Sequence, residues 1–432
     1  MKKKLSIVLC LLMVICVATG CTTYNNFKNA FFSDNNADSV AKERTIKIGV
    51  YEPLTGKYKE QGNQEKRGIE LANEMYPEVL GKKVELIYAD NQSDMHVAET
   101  VIQELVSQNP SVILGSYGET ITLVAGDVVK ANNIPSITIT GTNPLITVNN
   151  PYYFSATYAE ERQGDALAEY VFTAQGIDKT ATVQVAGDDT VTPTVKRFTN
   201  RIKTLTENNE SIAGSFELPA GSSDYTEVIE GIKKSGVKAV FMAVSPNVAT
   251  EFLKQAEQAR LTGVLFVGTK NWNDDKFISF VKKSSVLNVA YASDFSVDAQ
   301  NTEISKEFVE AYKKKYGEDA EPTEAEALAF DSYIMALKAI ENAYNDTVSK
   351  TAEEAEKGYS TDAAKKAARE EWETTQKTGI PAGRAIRAAL SKLDEFEGAS
   401  GTISYEGSNE AVKNVIVTRI SGGRTQEAYI VD

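Results

Sequence analysis

The sequence predicts an α/β protein with two doubly wound halves. From Thr45 onward, short branched apolar runs alternate with stretches whose apolar residues recur at helical spacing. This alternation is typical of parallel strands that helices cover on both faces. It runs through residues 46–140 and again through residues 163–269, in a chain of 432 residues that exceeds what one hydrophobic core usually supports. Two lobes are therefore expected.

The elements of the two halves follow one another without long interruptions. In the first half, strands and helices are predicted alternately over 46–51, 62–77, 82–91, 96–109, 111–117, 120–133 and 134–140. In the second half, helices and strands are predicted alternately over 163–175, 181–187, 193–205, 213–219, 225–235, 238–244, 247–259 and 264–269. Each half therefore has the rhythm of its own doubly wound sheet.

The last third of the chain departs from this rhythm. Residues 324–396 are predicted to be mostly helical, and the chain ends in short strands separated by glycine turns. Residues 345–378 are rich in Ala, Glu and Lys and lack a wide apolar stripe. This composition indicates a solvated helical insertion with charge pairs at i, i+4 spacing, and docking of a partner is the alternative.

The first 20 residues are predicted to be a signal peptide. Three lysines precede an apolar run from Leu5 to Ala18, which is shorter than the stretch of about 20 residues that spans a bilayer. Small residues then lead directly to Cys21, a pattern that resembles a lipoprotein processing site. A plain signal peptide followed by an unrelated cysteine is the alternative.

Cysteine usage supports the lipoprotein interpretation. Cys10 and Cys16 leave with the signal peptide, so Cys21 has no disulfide partner in the exported chain. Acylation of Cys21, with palmitate for example, explains a lone cysteine there and anchors the protein outside the cytoplasm to the cell membrane. Residues 21–43, rich in Asn, Asp and Ser, are predicted to be a flexible tether. A lysine-rich lipoprotein without disulfides suits a Gram-positive cell surface.

Charge and residue types exclude several classes of function. The net charge of -14 repels nucleic acid and anionic lipid. His96 is the single histidine and lies at a predicted helix start, where a structural role is expected, so no Ser/His/Asp or Cys/His site is predicted. HExxH, paired CxxC and GxxxxGK[ST] motifs do not occur. We therefore expect neither an enzyme nor a cofactor, and paired carboxylates for glycoside hydrolysis are the open alternative.

Several stretches together resemble a known family. They include IKIGVYEPLTGKYKEQGNQEKRGIELANE, VILGSYGETITLVAGDVVKANNIPSITITGTNPLIT, LPAGSSDYTEVIEGIKKSGVKAVFMAVSPNVA and GASGTISYEGSNEAVKN. Their order and spacing over 44–432, outside the insertion, resemble the substrate-binding proteins of the branched-chain amino acid type. These are the type I bilobal receptors (periplasmic binding proteins) that feed ABC importers.

The resemblance implies two Rossmann-like lobes joined by three crossovers, with ligand bound between lobes that close about a hinge. The crossovers are expected near 155–159, 292–296 and 411–415. Lobe 1 is then expected over 44–157 and 294–412, and lobe 2 over 158–293 and 413–432. The resemblance further implies a monomer without a cofactor, with an ABC permease and ATPase as partners.

The resemblance assigns the ligand head group to the segment Thr140-Gly141-Thr142. The Thr142 hydroxyl and backbone N–H would face a carboxylate, and the Thr140 carbonyl would accept from an ammonium. The alternative is a turn in which Thr142 caps local backbone. On the neighbouring loop, Tyr117-Gly118 stands at the lip of the cleft, where the Tyr117 side chain could stack on or hydrogen-bond a ligand.

Two positions depart from the pattern of amino-acid binders. Glu119 replaces a serine that binds the ligand carboxylate, unless Thr120 takes that role, and an acid at a helix start is also stabilised by the helix dipole. Lys270 replaces an acid that binds the ammonium. Either the ligand is not a standard α-amino acid, or Glu119 and Lys270 pair across the cleft.

Other cleft positions follow from the same resemblance. Val191 and Gln61 stand where relatives commonly have aromatics. Trp272 is expected either to form an apolar wall for the ligand or to belong to the core. Ser245 and Asn247 follow a strand and are expected at the cleft. Tyr225 and Asp90 are expected to be structural.

The sequence thus predicts an extracytoplasmic solute receptor for an ABC importer, binding an amino acid or related small polar molecule. The alternative is a sensory protein of the same fold that reports its ligand to a membrane receptor.

Overall fold

A computed structural model describes residues 45–431. The predicted signal peptide, the tether and Cys21 lie outside this range. Within it, the helices in chain order are α1 (Lys59–Met75), α2 (Met95–Ser107), α3 (Glu119–Ala131), α4 (Arg162–Glu169), α5 (Thr192–Thr206), α6 (Thr226–Ser235), α7 (Pro246–Gln258), α8 (Asp275–Lys282), α9 (Glu303–Tyr316), α10 (Glu324–Val348), α11 (Ala352–Glu356), α12 (Asp362–Thr378) and α13 (Gly383–Leu390). None of them is long and apolar enough to cross a membrane.

The first large sheet, sheet 1, has the strand order β2-β3-β1-β4-β5-β6. Its strands are β1 (Ile46–Glu52), β2 (Glu78–Val79), β3 (Lys82–Asp90), β4 (Val112–Gly115), β5 (Ser136–Thr138) and β6 (Tyr153–Ser155). All pairs are parallel except β2 with β3. Helices α1, α9, α10 and α13 cover one face, and α2 and α3 cover the other. Sheet 1 and these helices are called lobe 1 below.

The second large sheet, sheet 2, has the strand order β16-β15-β11-β10-β9-β7-β8. Its strands are β7 (Thr180–Val185), β8 (Ile212–Leu218), β9 (Ala239–Ala243), β10 (Leu265–Gly268), β11 (Asn288–Ser293), β15 (Val415–Ser421) and β16 (Arg424–Val431). Only the pairs that involve β15 are antiparallel. Helices α6, α7 and α8 cover one face and α4 and α5 the other, forming lobe 2.

Each hydrophobic cluster draws its buried residues from one lobe. Those of lobe 1 come from 46–156 and 295–411, and those of lobe 2 from 158–292 and 415–431. The chain passes between the sheets after β6, after β11 and before β15. The α/β class with two doubly wound lobes is therefore confirmed, while the residue-level lobe boundaries stay a prediction.

The long helix α10 is the centre of lobe 1. Thr323 and Glu326 form a capping box at its start. Helix α1 packs closely against it at Gly68, where a Cβ would lie 2.2 Å from the Glu326 carbonyl oxygen. A small antiparallel sheet of β12 (Phe396–Gly398), β13 (Gly401–Ser404) and β14 (Val412–Lys413) follows the helical region. The segment 345–378 contains α11 and α12, which pack together beside α10.

Several predicted elements differ from the structure in extent, and two of them show the reason. The strand predicted over 134–140 is regular only over Ser136–Thr138. The chain bends directly afterwards because Gly141 turns back onto the strand, where a Cβ would lie 2.5 Å from Thr138 Oγ1. The helix predicted over 163–175 is α-helical only to Glu169 and continues as a π-turn over Tyr170–Ala174.

Candidate ligand-binding cleft

The candidate site lies where loops of both sheets meet at the carboxyl ends of their parallel strands, the usual ligand position in open α/β sheets. Glu119 follows β4 in lobe 1, while Asp188 and Lys270 follow β7 and β10 in lobe 2. All three charges act on the carboxyl of Glu160, which the chain reaches just after leaving sheet 1. Asn273 of lobe 2 also donates to Glu324 Oε2 of lobe 1 at 3.2 Å. The two sets of loops therefore face each other.

An aromatic pair forms the lobe 1 lip. The half-buried Tyr117 ring lies 5.6 Å from the Tyr58 ring, centroid to centroid. The Tyr117 backbone N–H donates to Glu52 Oε2 at 2.9 Å, which fixes the loop to the end of β1. Tyr58 was not predicted from the sequence, although it lies in the loop where Gln61 is predicted to replace an aromatic. Gln61 itself is half-buried on α1.

The segment Thr140-Gly141-Thr142 is held by side chains from other elements. Thr140 Oγ1 donates to Glu65 Oε1 at 2.6 Å, and Thr142 Oγ1 donates to Glu119 Oε1 at 3.4 Å. Asn143 Nδ2 donates to Glu119 Oε2 at 3.2 Å. The Thr142 hydroxyl therefore contacts the carboxylate of Glu119 at the start of α3, whereas the alternative expected it to cap local backbone.

Glu119 begins α3, as the dipole interpretation of this acid requires. Gly118 precedes it with a φ of 96°, a conformation that favours glycine. Glu119 and Thr120 are both exposed in the first turn. An acid in this position is stabilised by the helix N-terminus.

Behind these loops lies a buried carboxyl pair, Glu52 and Glu65. Both side chains are fully buried, and each affects the pKa of the other. Because a carboxylate can only accept, these two groups can share a hydrogen bond only when one of them carries a proton. Burial raises the pKa of Glu65 to about 7, although Glu52, Thr140 and Lys270 act to lower it. Burial, followed by the charge of Glu65, also raises the pKa of Glu52.

Lys270 is engaged at the junction of the lobes. Its Nζ donates to Thr157 Oγ1 at 2.7 Å and to Asp294 Oδ2 at 3.1 Å, and its side chain is only 12% exposed. Its backbone N–H donates to Gln163 Oε1 at 2.7 Å. The hypothesis that Lys270 pairs with Glu119 across the cleft is therefore wrong for this structure, because Asp294 lies closer at hand and is buried.

Trp272 belongs to the core of lobe 2, so the apolar-wall hypothesis is wrong. Its ring is fully buried and packs on Phe277, 4.9 Å between centroids. Its Nε1 donates to the Val244 carbonyl at 2.9 Å. Gly268 lets the ring lie against the backbone, since a Cβ there would be 2.0 Å from the indole.

The remaining predicted residues of lobe 2 surround the same loops. Ser245 is exposed and caps α7 by accepting from the Val248 N–H at 3.5 Å. Asn247 is exposed in the first turn of that helix. Val191 is half-buried and packs against the lobe 2 core.

Tyr225, Asp90 and His96 were expected to have structural roles, and their contacts and exposure agree with this. Tyr225 is buried beside Phe252, 6.0 Å between centroids. Asp90 Oδ1 accepts from the Leu54 and Thr55 N–H groups at 2.9 and 3.2 Å. His96 is exposed in the first turn of α2.

The cleft is electrostatically acidic. Burial raises the pKa of Glu160, Lys270 lowers it, and the charges of Glu119 and Asp188 raise it further. Lys270 is the cation among these groups, and its charge is shared with Asp294. The arrangement therefore suits ligand groups that donate hydrogen bonds better than groups that carry negative charge. Within residues 45–431, no cluster of three or more His, Cys, Asp or Glu side chains could hold a metal ion.

One of two cavities lies at this site, and the other lies away from it. A space of about 10 Å³ beside Thr142, bordered by Thr138 and Tyr158, is large enough for about one water molecule. A groove of about 480 Å³ lies on lobe 2 between α5 and strands β7 and β8. None of the predicted site residues borders that groove, so we place the candidate site at the facing loops.

Fold and cleft together define a bilobal α/β binding protein. The family model described as periplasmic binding protein matches residues 45–425, and the chain belongs to this family. The leucine-, isoleucine-, valine-, threonine- and alanine-binding protein of Pseudomonas aeruginosa is 25% identical over 319 residues, 72% of this chain and 81% of that protein.

Solved structures show the same fold. A branched-chain amino acid transporter substrate-binding protein from Streptococcus pneumoniae, in complex with isoleucine, has a TM-score of 0.65 and 22% identity, covering 90% of this chain and 99% of that one. A solute-binding protein of an ABC transporter from Rhodopseudomonas palustris, in complex with 3,4-dihydroxybenzoic acid, has a TM-score of 0.63 and 20% identity, covering 89% and 96%. The relatives of this chain thus bind small molecules of more than one class.

Proposed function

We propose that this protein is an extracytoplasmic solute-binding lipoprotein that delivers a small polar molecule, an amino acid or related compound, to an ABC importer by hinge closure. One observation carries the proposal. Loops of lobe 1 and lobe 2, at the strand ends of two doubly wound sheets, face each other around Glu160. Closure of two such lobes over a solute is a common hinge transition.

The proposed binding residues are those at the facing loops. Thr140, Gly141 and Thr142 contact the head group, and Tyr117 and Tyr58 supply aromatic surface. Trp272 is left out because it is buried in the core.

The proposed ligand is not a standard α-amino acid bound in the usual polarity. Glu119 accepts from the Thr142 hydroxyl, in the residue that would face a ligand carboxylate, and the carboxyl of Glu160 lies close to both Thr142 and Glu119. Two carboxylates beside this hydroxyl repel an anionic group. Lys270 supplies no free counter-charge, because Asp294 holds it.

The proposed context is the cell surface. Cys21 carries the lipid anchor, the protein acts as a monomer, and permease and ATPase subunits receive the solute. No covalent chemistry is required, since the relatives are named as binding proteins.

A thermal-shift screen tests the proposal. Amino acids, amides, amines, short carboxylates and nucleosides are each added to the purified protein, and Tm is measured. A ligand at 100 times its Kd stabilises the folded state by about 2.7 kcal/mol. The shift should disappear in Thr142→Val and persist in Thr100→Val, a matched change on an exposed position of α2.

The outcome that contradicts the proposal is equally clear. A stabilising compound whose shift survives Thr142→Val, Tyr117→Ala and Glu160→Gln binds elsewhere. A preference for carboxylates over amines and amides would refute the polarity part alone.

A further inference from the structure

Asp294 is the centre of a buried ionic cluster. Its Oδ2 accepts from Thr157 Oγ1 at 2.7 Å and from Lys270 Nζ at 3.1 Å, and its Oδ1 lies 3.2 Å from Lys413 Nζ. The carboxyl of Asp294 and the side chain of Lys413 are fully buried. Lys413 Nζ also donates to Ser400 Oγ at 2.5 Å.

The members of this cluster come from all three connections between the lobes. Thr157 follows β6, Asp294 follows β11, and Lys413 precedes β15. The first and third connections also run side by side, paired by a parallel bridge between Tyr158 and Ala411. One carboxylate therefore holds three chain segments that are distant in sequence.

The cluster extends into both lobes. Lys270 belongs to the loop after β10 of lobe 2, and the Asp294 N–H donates to Glu324 Oε2 at the start of α10 in lobe 1 at 2.9 Å. A fully buried carboxylate between two ammonium groups holds its partners strongly, since loss of one partner leaves an unpaired buried charge. When the angle between the lobes changes, the contacts of Asp294 must therefore either all persist or all break.

We propose that Asp294 is a positioning residue that makes the three connections act as one hinge, and that Lys270 couples the cleft loop to this hinge instead of binding the ligand. This inference rests on the proposed function in one respect: a hinge is useful to the protein only if the cleft closes.

Amide hydrogen exchange of the full-length protein without ligand, measured by mass spectrometry, tests this proposal. In Asp294→Asn, segments 155–159, 292–296 and 411–415 should all exchange about tenfold faster or more, while β1 and β9 inside the lobes keep their protection. Faster exchange confined to 292–296, or spread evenly over both lobes, would overturn it.

Glu326→Gln is the matched control. Glu326 is also a fully buried carboxylate with a cationic partner, because Arg67 Nε lies 2.7 Å away, but its contacts stay within lobe 1. Its substitution should speed exchange in α1 and α10 and leave 155–159 and 411–415 unchanged.

Lys270→Met is a second variant that perturbs the cluster less. Unlike Asp294→Asn, it does not leave two buried lysines without their carboxylate partner. We expect faster exchange in 155–159 and 292–296 without any ligand present. Unchanged exchange there would show that Lys270 does not act through the hinge. A failure of these measurements leaves the ligand screen untouched, so the two proposals fall separately.

Discussion

Glu65 of lobe 1 and Asp294 of the hinge are both fully buried carboxyl groups beside the cleft, yet their pKa values move in opposite directions. Burial raises the pKa of Glu65 to about 7 and outweighs Glu52, Thr140 and Lys270, which act to lower it. Burial also acts to raise the pKa of Asp294, but Lys270, Lys413 and the Thr157 hydroxyl outweigh it and lower the value.

The difference shows two ways of burying an acid. Glu65 has a raised pKa and loses its proton as the pH rises through about 7. Asp294 stays ionised and depends on its cations. The lobe 1 side of the cleft should therefore respond to pH near neutrality, and the hinge should respond to removal of a lysine.

The largest expected effect is at the hinge. Lys413→Met leaves Asp294 with one cation fewer and removes a positive charge near Asp331, whose pKa burial raises to about 6. The free energy of unfolding, measured by urea denaturation, should fall by about 3–5 kcal/mol. Lys350→Met, which removes an exposed pair with Asp346, should change little. Equal small losses in the two variants would contradict the importance of the cluster.

A smaller effect is expected from pH. The folded protein holds the proton of Glu65 more tightly than the unfolded chain, whose ordinary pKa is 4.5. The stability from this group is therefore complete below pH 4.5 and is lost as pH rises through about 7. The Tm of the wild type should fall between pH 5 and pH 8.

The matched variants isolate this contribution. Glu65→Gln mimics the protonated acid and should flatten part of the pH dependence, whereas the exposed Glu104→Gln should leave it intact. Asp294 depends on pH in the opposite way because its pKa is lowered. The stability that it contributes is present above its ordinary pKa of 3.8 and is lost only as the pH falls below that value. A Glu65→Gln protein with the full wild-type slope would contradict the carboxyl-pair account.

The smallest effect is at the exposed acid of the cleft. Glu119→Gln removes a charge that interacts favourably with the N-terminus of α3, and should cost about 0.3–1 kcal/mol of unfolding free energy. Glu99→Gln, an exposed acid within α2, is the control and should cost less. A larger loss for Glu119→Gln than for Lys413→Met would contradict the expectation that the buried charge contributes more stability than the exposed one.

Much of the fold can be predicted because it depends on local patterns. Branched runs alternating with helical periodicity define strands and helices directly, and parallel strands bring their carboxyl ends to one edge. Tyr117 and Thr140 can therefore be placed at strand ends without knowledge of their contacts, and the family resemblance then assigns them to the cleft. The limits of β5 could not be predicted, because they depend on how Gly141 packs against Thr138.

The buried charges could not be predicted because their partners are distant in sequence. Thr157 and Asp294 are 137 residues apart, and Tyr117 and Glu52 are 65 apart. Glu52 is the last residue of β1 and Asp294 directly follows β11, positions at which an acid normally faces water. A signal was present for Trp272: Gly268, four residues earlier, leaves room for its ring on the backbone.

The position of β15 has a consequence for biogenesis. This strand covers one side of β11, whose other side is paired with β10. The ribosome synthesises β15 long after β11, so nascent chains carry β11 with an open, apolar ladder edge. Such edges template intermolecular pairing. Proteolytic removal of β15 and β16 should likewise make the protein prone to aggregation, even though every residue of the cleft remains.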